Sequence, residues 1–383
     1  MKLCYLGNID NIHTRRWVSH FAGKGHETYL LGDRPYSSGI EGVTIITPEM
    51  NFPTKVVAFK LFPRPFGNNV FKALPYRREV RRIKPDLVHG FEALGYGFVL
   101  AHCGPYPKVL TPWGNDVYDW PKRSRLARWL VRRALKRADA ISTNHPALAP
   151  YLAREFGIPH DKVTCFSWGV DLTIFKEGYR EDVAALRQRL GISADAPVMV
   201  SNRQMNAYWG IEEIVRAVPH VVREIPAVVF VFLRGSGSAE YERAMERLAE
   251  KEGVARNVRF VGEFLGPRAM AVFLNLAHVF VSVPYTDLLS ISVLEGMACG
   301  AMPVLSELDA YKTRVKDGEN GFYVPVRDSA AIAERIIYCL KHPELKERMG
   351  KRNREIISAQ DNWETNAQAM ETLYEQLVER RRS

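Results

Sequence analysis

At 383 residues the chain is too long for one hydrophobic core and is expected to form two domains. Its 46% hydrophobic and 25% charged residues are ordinary for a globular enzyme, and no apolar run reaches the length of a bilayer-crossing helix, which excludes a helical membrane span. The net charge of +10 is uneven: residues 1–170 carry 25 Lys and Arg against 13 Asp and Glu, and the remainder 28 against 30, so an anionic partner is expected near the first half.

In chain order, Lys2–Leu6 reads as a short buried strand entering the turn Gly7-Asn8-Ile9-Asp10. It lacks the long apolar stretch and small-residue cleavage site of a signal peptide, so a cytoplasmic location is expected. Strands follow at Thr28–Leu31, Leu87–His89, Ala138–Thr143 and Val163–Phe166, separated by amphipathic stretches in the rhythm of βαβ units. His13 to Trp17 opens a helix.

Lys122–Arg137 reads as one helix with Leu126, Trp129, Leu130, Arg133 and Ala134 at helical spacing and basic residues around the other faces. It is either a solvated helix packed on its lobe or a docking element for anionic lipid, to which Arg77, Arg78, Arg81 and Arg82 add charge. Residues 169–178 are rich in turn formers and have no period, which places a hinge there.

Beyond the hinge the pattern restarts with Val198–Ser201, Val228–Leu233, Val258–Val261, Val279–Val283 and Pro303–Leu305. The fold class is therefore α/β, with two Rossmann-like doubly wound lobes, 1–170 and 171–358, facing across a cleft. In open parallel sheets ligands sit beyond the carboxyl ends of the strands, so the chemistry is expected in the loops that follow them. The five cysteines are odd in number and never form a CxxC pair, which argues for buried apolar residues over disulfides or a zinc site.

One such loop is the densest in signals. After Val279–Val283, Asp287 precedes a helix from Ile291 that Gly300 closes and that carries Glu295. The backbone N–H groups of Leu288, Leu289 and Ser290 at the helix start suit a phosphate, because they lack intrahelical partners and lie at the positive end of the dipole. The two carboxylates span at most about 12 Å at helical rise, so they can bracket a diphosphate. Glu295 interrupts an apolar face, where an unpaired carboxylate is costly and a partner or ligand is expected.

The run VSVPYTDLLSISVLEGMACGAMPVLSE, followed by DGENGFYVP, resembles the signature of the retaining family-four glycosyltransferases of the GT-B fold, glycosyl transferases group 1. PDLVHGFEALGYG, TPWGNDV, GVDLTIF, SNRQMNAYWGIEEIVRA, FLRGSG and NVRFVGEF follow the family's order, so the likeness covers nearly the whole chain. It implies that Glu295 holds the ribose hydroxyls, that Asp287, where members usually have glutamate, contacts the transferred sugar, and that Arg203 binds the donor diphosphate. Gly7 would let backbone approach the donor phosphate and the acceptor, and Phe264, just after Gly262, would lie beside the base. The segment from Trp363, within 359–383, resembles the terminal helix that returns to the first lobe.

Two departures from the family stand out. Tyr208 and Trp209 occupy the region of its usual second cation, with Arg234 as a substitute, and Trp113 stands at the place of its usual histidine, so that the sugar contact is either lost or supplied by His89 or His145. Asp116 either orients an acceptor hydroxyl or caps the next helix.

The resemblance implies transfer of a hexosyl group from a UDP- or GDP-linked sugar to a glycan or lipid-linked acceptor hydroxyl, with retention, in cell-surface glycan or glycolipid synthesis. No metal and no resident cofactor are expected, and no DxD pair is positioned for an ion. The basic first lobe adds the expectation of a peripheral place on the inner face of the membrane. A Rossmann oxidoreductase is disfavoured because Leu6-Gly-Asn-Ile-Asp-Asn11 lacks GxGxxG. The alternatives are a GT-B-shaped sugar-nucleotide epimerase or phosphorylase, and a non-catalytic partner binding an anionic surface; no nucleic-acid motif is present.

Overall fold

A computed structural model describes residues 1–33, 39–49, 67–234, 237–262 and 266–382. They form two compact units, one of Met1–Ser167 with Asn366–Ser383 and the other of Trp168–Thr365.

The first unit is built on seven parallel strands: β1 (Lys2–Leu6), β2 (Glu27–Leu31), β3 (Val43–Ile46), β4 (Leu87–Phe91), β5 (Lys108–Thr111), β6 (Ala140–Thr143) and β7 (Val163–Cys165). Their order is β3-β2-β1-β4-β5-β6-β7. The second unit holds β8 (Val198–Ser201), β9 (Val229–Leu233), β10 (Val258–Val261), β11 (Val279–Ser282), β12 (Met302–Ser306) and β13 (Phe322–Val324), also parallel, in the order β10-β9-β8-β11-β12-β13. In each sheet the order reverses once, between β1 and β4 and between β8 and β11. These are the topological switch points, where splayed connections leave room for a ligand.

The near-continuous apolar strands follow from burial on both faces. In the second sheet Val200, Val231 and Phe280 join one core cluster with Leu294 and Met297, while their strand neighbours Met199, Phe230, Phe232, Val279 and Val281 join the other. Alternation along each strand thus feeds two cores at once. β3, β5 and β13 are absent from the sequence reading; each has three or four residues, and β3 and β13 are edge strands.

The second unit runs to Thr365, past the expected limit of 358, for a visible reason. Val170 donates to the Asp361 carbonyl at 2.6 Å and accepts from Trp363 at 3.0 Å, while Arg314 pairs with the buried Asp361 at 2.6 Å. From Asn366 the terminal helix Trp363–Arg382 belongs to the first unit, where Ala367, Met370 and Tyr374 are fully buried. The expected single helix 122–137 is two, Trp120–Arg123 and Arg125–Arg137, because Ser124 is extended and its hydroxyl caps Ala127. The buried face is Ala127, Leu130, Val131, Ala134 and Leu135, so Trp129 turns outward at 52% exposure among the basic residues. Four cysteines are buried and Cys165 is exposed.

Candidate active site

At the switch point of the second sheet, Arg203 follows β8 and the segment Asp287 to Ser290 follows β11. Gly210 brings the first loop in: its φ of +67° belongs to the left-handed region, and a Cβ there would sit 2.1 Å from the Val283 carbonyl oxygen. Only glycine lets this loop lie so close to the end of β11.

Arg203 is 6% exposed and is held on several sides. Nη2 donates to Asp287 Oδ2 and Nη1 to Ser290 Oγ, while the Trp209 ring centroid lies 3.8 Å from the guanidinium carbon. Asp287 is fixed in turn, since Tyr311 donates its hydroxyl to Oδ2 at 2.7 Å and the Leu288 amide donates to Oδ1 at 2.9 Å. Burial and the Asp287 charge push the Tyr311 hydroxyl well above its usual range, so it stays protonated and acts as a donor. Of the five N–H groups of the guanidinium, two are engaged and the Nε–H is buried without a partner. A bound anion is the natural acceptor for the rest.

The helix Ile291–Ala298 begins beside this cation. Ser290 is its N-cap residue, yet the hydroxyl makes no capping bond and accepts from Arg203 instead. The first helical N–H groups are therefore left without a side-chain acceptor, at the positive end of the dipole and next to Arg203. Glu295 is half-buried on this helix, one turn before Cys299, whose thiol is pushed up by burial and then by the Glu295 charge.

Several expectations change here. Leu288 has its amide engaged by Asp287, which removes it from the set of phosphate donors; Leu289 is buried. Asp287 serves first as the counter-ion of Arg203, because both of its oxygens already accept hydrogen bonds. Arg234, the expected substitute for the second cation, pairs with Glu246 at 2.6 Å and Glu242 at 3.4 Å. Gly262 is exposed after β10, and Phe264 lies outside the described residues.

The switch point of the first sheet is arranged otherwise. A Cβ on Gly7, after β1, would come within 3.0 Å of both Phe91 and Thr14, so close packing requires glycine there. Phe91 and His13 pack on the Trp113 ring at centroid distances of 6.4 and 5.7 Å. Burial and then Arg16 push His13 down to about 4.

His89 is corrected to a core residue. It is fully buried, with Nδ1 2.5 Å from the Tyr374 hydroxyl and Nε2 2.7 Å from Thr111 Oγ1, so both ring nitrogens are occupied and burial lowers its pKa to about 3. Asp116 is corrected likewise: buried, it accepts from Ala93 N at 2.6 Å, Gly114 N at 2.8 Å and Trp113 N at 3.0 Å, which ties two loops together and leaves it no acceptor hydroxyl to orient. His145 follows β6 with both ring nitrogens buried and unpartnered, and burial lowers its pKa.

Sequence reasoning missed Tyr311, the stacking of Trp209 on Arg203, and Glu92. Glu92 follows β4 with φ of +72° and accepts from Leu94 N at 2.8 Å and Gly95 N at 2.6 Å; burial and the nearby Asp116 raise it to about 8. Its place directly after a strand at the switch point was the available signal.

The family model described as Glycosyl transferases group 1 matches residues 182–356, and that described as Glycosyl transferase 4-like matches residues 2–145. The chain is 23% identical over 374 residues to the alpha-monoglucosyldiacylglycerol synthase of Acholeplasma laidlawii, covering 93% of this chain and 90% of that one. It is 29% identical over 203 residues to a GDP-mannose-dependent monoacylated alpha-(1-6)-phosphatidylinositol monomannoside mannosyltransferase of Corynebacterium glutamicum, 51% of each chain. The matches thus span about half the length of some curated relatives. Anabaena Alr3699/HepE, solved in complex with UDP, superposes with a TM-score of 0.78 at 17% identity, covering 97% of this chain and 99% of that one.

Proposed function

The chain belongs to the group 1 glycosyltransferases, with the two-lobe GT-B fold, and from that premise we propose that it moves a hexosyl group from a nucleoside diphosphate sugar to an acceptor hydroxyl with retention and without a metal. The observation that carries the reading is Arg203, a buried cation at the β8–β11 switch point whose Nε–H lacks a partner beside an uncapped helix start.

In this reading the anomeric carbon–oxygen bond to the diphosphate breaks, and a new bond to the acceptor oxygen forms on the same face of the sugar. The acceptor proton passes to the departing phosphate oxygen. Charge grows on the diphosphate as the bond breaks, and Arg203 with the N–H groups at the helix start meets it in place, with little reorganisation. Glu295 is assigned to the ribose hydroxyls, each carboxylate oxygen accepting one of them.

The donor is UDP- or GDP-linked, a reading supported by the UDP in the Anabaena complex and the GDP-mannose dependence of the Corynebacterium relative. The acceptor is a glycan or lipid-linked alcohol, in keeping with the glycolipid product named for the Acholeplasma relative. No helix among the described residues is long and apolar enough to cross a membrane. Contact with anionic lipid is assigned to the helix Arg125–Arg137, with Arg128 and Arg132 exposed and Trp129 outward among them.

The test is a panel of UDP- and GDP-sugars with added chelator, following nucleotide release and the anomeric signal of the product. Glu295→Ala should weaken donor binding by about tenfold or more, the loss of a charge-assisted hydrogen bond. Unchanged affinity and rate would remove Glu295 from the site.

A further inference from the structure

The amino ends of the second sheet carry a different arrangement of charge. An open cavity of about 640 Å³ is lined there by Arg180, Arg187, Lys346, Asn275, Cys299 and Glu177. His278, the residue before β11, marks its level: Nδ1 accepts from the amide of Val198, the first residue of β8, at 3.0 Å. The strands between this end and the Arg203 loop are four to five residues long, about 13–17 Å, so the two places are separate.

Arg187 and Lys346 both line this cavity, and among the described residues no carboxylate is hydrogen-bonded or ion-paired to either. Nη2 of Arg187 donates to the Ser193 and Ala196 carbonyls at 2.5 and 2.7 Å, and its Nε–H is buried without a partner. Lys346 is half-buried and makes no side-chain hydrogen bond or ion pair among the described residues. Burial lowers its pKa, Glu177 opposes that shift and Arg187 adds to it. His278 is pushed down to about 4 by burial, then by Lys346 and Arg187. The nearby acids offset these charges only from the rim: Glu177 also lines the cavity and raises Lys346, but it is exposed and paired with Arg354 at 3.0 Å, and Asp195, which acts on Arg187, is exposed.

Two partly buried cations lining one cavity are costly unless an anion joins them. We propose that this cavity binds a small phosphorylated molecule, its phosphate held between Arg187 and Lys346. A phosphate supplies several acceptor oxygens of one centre to the buried Nε–H and the ammonium together. The volume falls in the range of small-molecule sites and exceeds what a bare phosphate fills, which points to a phosphomonoester. Asn275 is not among the donors, because its amide already bonds to the Lys176 and Ala271 carbonyls and to Gly178 N.

Calorimetric titration of the full chain with inorganic phosphate and with glycerol phosphate, at constant ionic strength, tests this. Wild type and Arg203→Gln should bind both, and Lys346→Gln should bind about tenfold more weakly or not at all, having lost one charge-assisted contact. Without ligand, Lys346→Gln should melt at the same temperature or higher, since it removes an unanswered charge. Tighter binding of the ester identifies an organic phosphate as the occupant, and tighter inorganic phosphate a free ion. Equal binding by Lys346→Gln, loss of binding in Arg203→Gln instead, or no binding by wild type overturns the proposal.

Discussion

The two sheets share one strand order, and each reverses direction at the same point, yet they use that point in opposite ways. In the first unit three of the polar residues around it are satisfied internally, His89 by Tyr374 and Thr111, Asp116 by three backbone amides and Glu92 by two, while the Thr14 hydroxyl and the His145 ring are buried without a partner among the described residues. In the second, Arg203 keeps a buried N–H without a partner, and the adjacent helix start has no side-chain cap. Topology fixes where a site can form. Whether one forms depends on hydrogen-bonding capacity left over after folding.

That difference is open to attack by mutation, most severely at Arg203. Arg203→Gln should lower transfer by about 100-fold to 1000-fold, the usual cost of removing one preorganised charge donor. Arg203→Lys should not restore it, because an ammonium lacks the planar fork and the stacking surface. Nucleotide release at saturating acceptor is the readout, with a melting curve to show that the variant is folded.

His89→Ala should do the reverse. It opens a core cavity and takes one partner each from the Tyr374 and Thr111 hydroxyls, at a cost of about 3 kcal/mol or more in urea unfolding. kcat/KM of the folded fraction should stay within about twofold of wild type, since no contact made in the transition state is removed. A large kinetic loss at full folding would return His89 to the site and break the contrast.

Trp209→Ala is expected to cost about 1–2 kcal/mol of cation–π support, roughly a tenfold drop in kcat/KM for the donor. Trp209→Phe should recover part of it. Equal rates in all three proteins would reduce Trp209 to a packing residue.

The smallest effect is a pH slope. His89 and His13 titrate at about 3 and about 4 in the folded chain, below the 6.5 of an exposed imidazole. Because the folded values are depressed, their contribution is complete above 6.5 and is lost as pH falls toward 4, at most about 1.4 kcal/mol per unit for each histidine. Glu92 has the opposite sign. Its raised value means that stability present below its ordinary 4.5 is lost as pH rises through 8. Urea midpoints at pH 5 and 9 should fall below that at pH 7, and Glu92→Gln should remove the decline that accompanies rising pH, steepening the rise from pH 5 to 7 and flattening the limb from 7 to 9.

Much of the fold was legible because buried parallel strands are written as apolar runs, as in Val229–Leu233 and Val279–Ser282. β13, three residues at a sheet edge, carries too little pattern to be seen. The break at Ser124 was hidden because an N-cap serine inside a basic helical pattern looks like one more polar position. In the site, Arg203, Asp287 and Ser290 could be named from strand ends and a helix start, but their mutual contacts join positions more than 80 residues apart. No local spacing records such a pairing, and Tyr311 was missed for the same reason. His89 was misread because a strand-end histidine looks the same whether it faces a loop or a core.

The Arg203–Asp287 pair has a further consequence. Before any donor arrives the site contains its own competitor, a carboxylate tethered at an effective concentration that a free monovalent anion does not match. Chloride or acetate would have to displace it with one weak contact. In the proposed function a sugar nucleotide, anchored also through its base and ribose, would meet the same barrier with several attachments. The resting ion pair thereby works as a threshold, rejecting simple anions and yielding to a ligand that binds at more than one point.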